Sequence, residues 1–405
     1  MKVRYRYRIY PTDPQKTALA KLFGCCRVVF NDALAFCHEN YKQGNNFVGY
    51  NQWSKSLTEI KKTPEREWLK EVSSIPLQQS LQDLKTSFKN FFDSCKGKRK
   101  GRKVKPPKFK KRKSKQSARF TRNGFQVNQD TVTLPKIGDL KILWSRELPS
   151  EPSSVTVIKD SAERYFVSFV CEVDYPKLPE NGQAVGIDLG ITDFATLSTG
   201  EKIKAPKPLK RNLKRLRRRQ KNLSKKQKGS KRYEVARLKV AKLHAKITDT
   251  RTDFLQKLST RLIQENQLIA LEDLNVSGMV KNQKLSRAIS DLGWRSFRTM
   301  LEAKAEMYGR EVRIIGRWEA TTQTCSVCGF KGGKKELSVR EWTCLNCGEI
   351  HDRDLNASRQ ILKVAGGQSD TQNGCQRKCQ TINQVAVSSE ASTHREVKFE
   401  QLNLF

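Results

Sequence analysis

Residues 184–190 read AVGIDLG, an apolar run that ends on Asp188 with Gly186 two positions before the acid and Gly190 two after it. A short apolar run of this kind predicts a buried strand whose final side chain sits at the edge of the sheet. The glycines leave room for a neighbouring backbone or a ligand to approach closely. A second run, LIALED, ends on Glu272. A third acid, Asp354, lies in HDRDLNAS (351–358), just before the helical spacing of Leu355, Ile361 and Leu362. Any one of these alone reads as an ordinary strand-end or helix-capping carboxylate.

The order of elements around the three acids changes that reading. After Asp188 the patterning predicts a strand over Phe194 to Leu197, a third near Ile203, and a basic helical hairpin. A strand at 268–271, a helix from Trp294 to Tyr308 and a strand from Val312 to Ile315 follow, then a cysteine-rich insert and a final helix opened by Asp354. Without the insert, this is the succession of an RNase H-like fold, whose acids meet at one end of a mixed sheet. Three carboxylates gathered there can hold two magnesium ions about 4 Å apart, one activating water and one stabilising the leaving oxygen of a phosphodiester.

The insert carries Cys325-x2-Cys328 and, fifteen residues on, Cys344-x2-Cys347. Two thiolate pairs on two knuckles close tetrahedrally around one zinc. Gly329 and Gly348 follow the pairs, as tight knuckles require. Four cysteines leave no open coordination position, so this zinc is structural. The remaining cysteines include Cys375 and Cys379 in the tail, whose x3 spacing reads as free thiols. Four His among 405 residues leave acid and cysteine chemistry as the candidates.

Lys and Arg number 79 against 41 Asp and Glu, a net charge of +38. Solubility needs a net charge of only about 2 to 8 on a small domain, so the excess points to a polyanion. No apolar run reaches the roughly 18 residues of a membrane span and the start has no signal-peptide pattern, so nucleic acid is expected and a membrane is not. The expected location is the cytoplasm of a prokaryote, at the nucleoid. Two basic tracts concentrate the charge. Residues 96–115 hold 13 Lys or Arg and no acid, and residues 202–232 hold 16 with no acid. Phosphate contacts are expected from Lys98, Arg99, Arg102, Lys110, Lys111 and Arg112 in the first, and from Lys214, Arg215, Arg217, Arg218, Lys225 and Lys226 in the second.

In the N-terminal half, Val3, Tyr5, Tyr7 and Ile9 alternate as a strand would, and helical spacing runs from residue 14 to about 95. Alternation returns between Phe120 and Val173, which predicts a small β-barrel that takes back the first strand and carries a helical insertion. Phe30, Phe36, Tyr41, Phe47 and Tyr50 are candidate stacking aromatics, although core positions are the commoner use. From Gly366 onward the chain is polar, and disorder is expected.

The segments GIDLG, LEDLN, LSRAISDLGWRSFRTMLEAKAEMYGR, CSVCG, CLNCG and HDRDLNAS resemble the transposon-encoded TnpB proteins, relatives of the type V CRISPR effector nucleases. The resemblance is strong from about Ala184 to Leu362, weaker through the N-terminal half, and absent from the polar tail. It implies a multidomain α+β chain with a wedge-like β-barrel (1–12 plus 116–181) and a helical recognition insertion with its basic linker (13–115). A RuvC-like nuclease domain (182–365) follows, containing the basic hairpin (205–265) and the zinc ribbon (320–350), and then the tail (366–405). It further implies a guide RNA from the protein's own mobile element and cleavage of matching double-stranded DNA beside a short target-adjacent motif.

Carried over to this chain, the catalytic, magnesium-holding acids are Asp188, Glu272 and Asp354, with Asp273 and Asp352 in support. The chain departs from the family pattern at Glu319-Ala320-Thr321-Thr322, where Pro and two Ser are usual, and at Ser358 and Gln360, where Ala and Asn are usual. No departure removes a metal ligand, but Gln360 is expected to perturb packing beside the site. Two other readings stay open: an RNA-guided DNA-binding repressor that does not cut, and an accessory transposase. Whether cutting needs a co-purifying RNA separates them.

Overall fold

The computed structural model describes residues 1–99, 101–112, 115–336 and 338–366. The predicted tail, with Cys375 and Cys379, lies outside the described residues but for Gly366. The chain divides into two compact units, the first running from Met1 to Asp174 and the second from Tyr175 onward. Among the described residues, no helix is long and apolar enough to cross a membrane.

The first unit opens with β1 (Lys2–Ile9), whose Val3, Tyr5, Tyr7 and Ile9 are buried while the alternate Lys and Arg residues face outward. Then come α1 (Asp13–Lys42), α2 (Tyr50–Ile60), a 3-10 turn at Pro64–Glu71, and α3 (Ser74–Cys95). Helix α1 starts in a capping box between Thr12 and Gln15, with Pro14 in its first turn. The strands are β2 (Gln116–Thr121), β3 (Gln126–Val127), β4 (Thr131–Leu134), β5 (Gly138–Leu143), β6 (Pro152–Lys159) and β7 (Tyr165–Glu172). They form one seven-stranded sheet in the order β2-β6-β7-β1-β5-β4-β3, so the first strand is taken back between β7 and β5 as the alternation predicts.

That sheet has to curl. Flat, its edge strands β2 and β3 would lie about 29 Å apart at the usual interstrand spacing of about 4.8 Å. Yet the chain joins them through residues 122–125, a span of at most about 18 Å. The expected barrel is therefore corrected in one respect: no ladder pairs β2 with β3 among the described residues, so the curled sheet keeps an open seam. Tyr7, Phe120, Val155, Val167 and Phe169 fill its interior.

The second unit is built on β8 (Ala184–Asp188), β9 (Ala195–Leu197) and β10 (Lys202–Ile203), followed by the hairpin of α4 (Pro208–Ser224) and α5 (Lys231–Glu265). Next come β11 (Leu268–Glu272), α6 (Val276–Met279), α7 (Ser286–Leu292), α8 (Trp294–Tyr308) and β12 (Glu311–Ile315). The cysteine insert contributes β13 (Glu341–Thr343) and β14 (Ile350–Asp352), and α9 (Arg353–Ala365) ends the described chain. Sheet order is β10-β9-β8-β11-β12, with β8, β11 and β12 parallel and the β9 and β10 pairings antiparallel.

Alternation along these strands sorts the two faces. Val185, Ile187, Ile269 and Leu271 pack into the large core with Phe297 and Leu301 of α8, while Ala270 packs with Ile315 and Ile361 of α9 on the other face. Gly186 shares that second face, and a Cβ there would fall 2.1 Å from the Ser358 carbonyl oxygen and 2.8 Å from the Leu362 nitrogen. Only glycine lets α9 lie this close to β8.

Candidate active site and zinc ribbon

The faces just sorted decide where the acids go. Asp188 follows Gly186, and Glu272 follows Ala270, by two residues each, so both carboxylates belong to the α9 side of the sheet. Helix α9 brings Asp354 to the same place. Two of the carboxylates are close enough to act on the third: burial, then the negative charges of Glu272 and Asp354, push the Asp188 carboxyl up to about 8 from its ordinary 3.8.

The start of α9 differs from the expectation that Asp354 opens it. Asp352 is the cap, accepting the Leu355 N–H at 2.9 Å, while its other oxygen takes the Lys202 ammonium of β10 at 2.7 Å. A residue in the first turn cannot serve as the cap from inside the helix, so Asp354 stays free to face the other acids. Among the described residues its ion pair is with Arg340, at 3.4 Å, from the chain just before β13. Glu272 is held from the segment leading into the first cysteine knuckle, where the Thr321 hydroxyl donates to its Oε1 at 2.7 Å. Asp273 points elsewhere: Arg298 at 2.9 Å and Arg317 at 2.6 Å hold its carboxyl below the usual range.

The four knuckle cysteines converge, their sulfurs all within 4.8 Å of one another. Cys325 and Cys347 are 3.7 Å apart and Cys328 and Cys344 3.6 Å. Four sulfurs on one zinc, each about 2.3 Å from it, would sit about 3.8 Å apart, so the donor set fits. The backbone amides of Val327 and Cys328 approach the Cys325 sulfur at 3.4 and 3.5 Å, as they would stabilise a thiolate. Gly329 and Gly348 both adopt positive φ, +77° and +71°. His351 reaches the Cys325 sulfur at 3.0 Å and lies against Trp342, closing the ribbon's small core.

Ribbon and helix are tied together by polar side chains that spacing does not reveal. Asn356 accepts the Ser326 N–H at 2.8 Å and donates to the Thr324 carbonyl at 2.8 Å. Gln360, one turn later, donates to the Cys325 carbonyl at 2.7 Å. The perturbation expected from Gln360 is absent: the longer amide is buried and satisfied, and it anchors the first knuckle. The contacts made by Thr321, Arg340, Asn356, Gln360, Lys202 and His351 all escape motif reading. The pair 356 and 360 leaves a sequence trace, as amide side chains one helical turn apart, and both are buried in α9.

The basic tracts divide. Lys214, Arg215, Arg217, Arg218 and Lys225 are exposed on and just after α4, and Lys226 is half-buried. Leu216, Leu243 and Ile247 hold the two helices of the hairpin together. In the first unit Lys98, Arg99, Arg102, Lys111 and Arg112 are exposed. Lys110 is exposed as well, but its ammonium lies 4.0 Å over the Phe30 ring and desolvation lowers its pKa. Of the candidate stacking aromatics, Phe30 is buried, Phe47 packs edge-on to Trp53, Phe88 and Phe92, and the Tyr50 ring faces Lys85. Tyr41, 85% exposed, and Phe36, 44% exposed, remain open.

Three family profiles match the chain: one described as "Probable transposase" of the IS605 OrfB type over residues 168–283, a Cas12f1-like TNB domain over 294–361, and a helix-turn-helix domain over 1–46. The last coincides here with β1 and α1. A protein of Streptomyces pristinaespiralis described as "Putative RNA-guided DNA endonuclease" is 49% identical over 89% of this chain and 89% of its own length. A protein of Escherichia coli (strain K12) with the same description is 32% identical over 88% of this chain and 91% of its own. Among solved structures, the Cas12f1 chain from a complex with guide RNA and target DNA superposes with a TM-score of 0.52 at 12% identity. It covers 89% of this chain and 98% of its own, a likeness of fold.

Proposed function

This chain belongs to the TnpB family of insertion-sequence proteins, and from that premise we propose that it cuts double-stranded DNA at sites chosen by a guide RNA from its own mobile element. The observation that carries the reading is the convergence of Asp188, Glu272 and Asp354, with Asp188 held near 8 by burial and then by its neighbours' charges. Three carboxylates so crowded are unfavourable as bare anions and suited to a hard divalent cation. Magnesium, as two ions, would be held by these three side chains and would supply an activated water and stabilisation of the leaving oxygen.

What the chain's own groups contribute follows from their contacts. Thr321 fixes the rotamer of Glu272, and Asp352, tethered by Lys202, fixes the first turn of α9 from which Asp354 projects. Arg340 sits beside Asp354 with an exposed guanidinium able to meet a phosphate of the strand being cut. Cys325, Cys328, Cys344 and Cys347 would hold a zinc ion, which would secure the ribbon from which Thr321 and Arg340 reach the acids.

The exposed arginines and lysines of α4 are assigned to the phosphate backbone of the guide or the target, because pairing with the guide reads the sequence. We assign the curled sheet and its helical insertion (1–12, 116–181 and 13–115) to holding the guide RNA and the target-adjacent motif. We assign this work to a prokaryotic cytoplasm, a reading that the bacterial origin of the relatives supports.

The test is to express the gene with its flanking DNA, sequence the RNA that co-purifies, and reprogram it against a plasmid library with randomised flanks. Magnesium-dependent cuts at matched sites beside one enriched flank are expected. Tight RNA binding without cuts would favour a repressor, and strand joining without RNA a transposase.

A further inference from the structure

Trp318 is 92% exposed, and among the described residues its ring has no aromatic or cationic partner. An isolated exposed apolar side chain is ordinary. What sets this one apart is how firmly its backbone is held and where.

The segment from Ile315 to Thr321 is a short hoop. It leaves β12 at Ile315, which pairs in register with Glu272, and it returns at Thr321, whose hydroxyl is bonded to the Glu272 carboxylate. Both feet therefore stand on the same acid. Between them the Glu319 N–H closes a turn on the Gly316 carbonyl at 3.3 Å. Arg317 donates to the Asp273 carbonyl at 3.2 Å and to its carboxylate at 2.6 Å, and Arg298 holds that carboxylate from α8. The apex residue of a hoop pinned at three points has little freedom to fold its ring back onto the protein.

We propose that Trp318 is a stacking platform for an unpaired base of the DNA strand that lies in the acid site. This rests on the nuclease reading of that site. A strand whose phosphate sits at Asp188, Glu272 and Asp354 carries its next bases past the hoop, because both ends of the hoop are fixed to Glu272. An indole face takes any base, which suits an enzyme whose target is chosen by pairing elsewhere. Arg317 on the hoop, Arg298 on the same Asp273 carboxylate, and Arg340 beside Asp354 in the acid site favour the accompanying backbone over an apolar protein partner. A platform fixed in advance loses little freedom when the base arrives.

The experiment uses the full-length protein purified with its guide RNA, and a single-stranded oligodeoxynucleotide bearing one 5-iodouracil. Irradiation and peptide mass spectrometry are expected to place the adduct on Trp318. With a guide-matched target, Trp318→Ala should raise KM for the cut strand about tenfold with a smaller change in kcat, and Trp318→Phe should recover most of it. Zinc content and guide-RNA binding should match wild type in both variants, since the side chain is 92% exposed.

Adducts elsewhere, adducts only when the iodouracil is in the guide RNA, or a Trp318→Ala protein that cuts with unchanged KM would each overturn the proposal. If the wild-type complex fails to cut matched DNA, the nuclease reading falls, and the site of the adduct alone then decides for or against the platform.

Discussion

The Thr321 hydroxyl and the Glu272 carboxylate are joined by a 2.7 Å hydrogen bond across 49 residues of sequence, so the approach to the first cysteine knuckle orients an acid at the end of a central strand. Thr321→Val keeps the shape and removes the donor. Since a hydrogen bond to a charged group is worth about 1.5–3 kcal/mol, cleavage should slow about tenfold or more while guide-RNA assembly is unchanged. Thr321→Ser should restore the rate. Single-turnover cutting of a matched duplex is the measurement, and a Val variant as fast as wild type would remove Thr321 from the site.

Asp188 binds its proton more tightly in the folded chain than in the unfolded one, at about 8 against an ordinary 3.8. The folded state thus holds the extra proton between those values, and in magnesium-free buffer stability should fall as pH rises from about 4 to about 8. Asp188→Asn removes the titration and the ligand together. It should abolish cutting and yet melt at a higher temperature than wild type at pH 8 without magnesium, as read by thermal denaturation of the zinc-loaded protein.

Cys344→Ser should release the zinc, because three thiolates and a hydroxyl hold it far more weakly than four thiolates. Elemental analysis should fall from one zinc per chain towards none. Protease sensitivity should appear first between residues 320 and 350, and cutting should be lost with it.

Gly186→Ala places a methyl group where the Ser358 carbonyl and the Leu362 amide already stand. Backbone cannot yield as a side-chain tip can, so the loss should be at least the roughly 1–3 kcal/mol of an overpacked core. A denaturant midpoint equal to that of wild type would contradict the close packing of α9 on β8.

Arg217 and Arg218 project from α4 without an ion-pair partner among the described residues. If both meet phosphates, changing each to Gln should weaken RNA or DNA binding evenly across sequences. Each change should also reduce the slope of log affinity against log salt by about one. An unchanged slope would move the contact to other side chains.

Period-two alternation was enough to place Asp188 and Glu272 on one face, because the parity of Gly186 and Ala270 is written in the strands themselves. Cysteine spacing likewise announced the knuckles. Contacts made by chain return had no such signal. Arg340 meets Asp354, and Thr321 meets Glu272, only because the ribbon folds back on the sheet, and no local pattern marks either. The cap of α9 was misread because Asp352 and Asp354 are chemically alike and two residues apart. Only the backbone of Leu355 chooses between them. The open seam between β2 and β3 was hidden for a related reason, since strand patterning reports faces and says nothing about which edges pair. Lys110 shows the limit of counting charges: one member of a basic tract is spent on the ring of Phe30.

Strand β14 passes into α9 with no linker, Asp352 ending one and capping the other. For anyone trimming this protein into a smaller tool, the ribbon is therefore not a detachable module. Excising 320–350 would remove Thr321 and Arg340 in one cut and strip Asn356 and Gln360 of their partners. A miniaturised scaffold would have to supply those four contacts anew, or take its savings from another part of the chain.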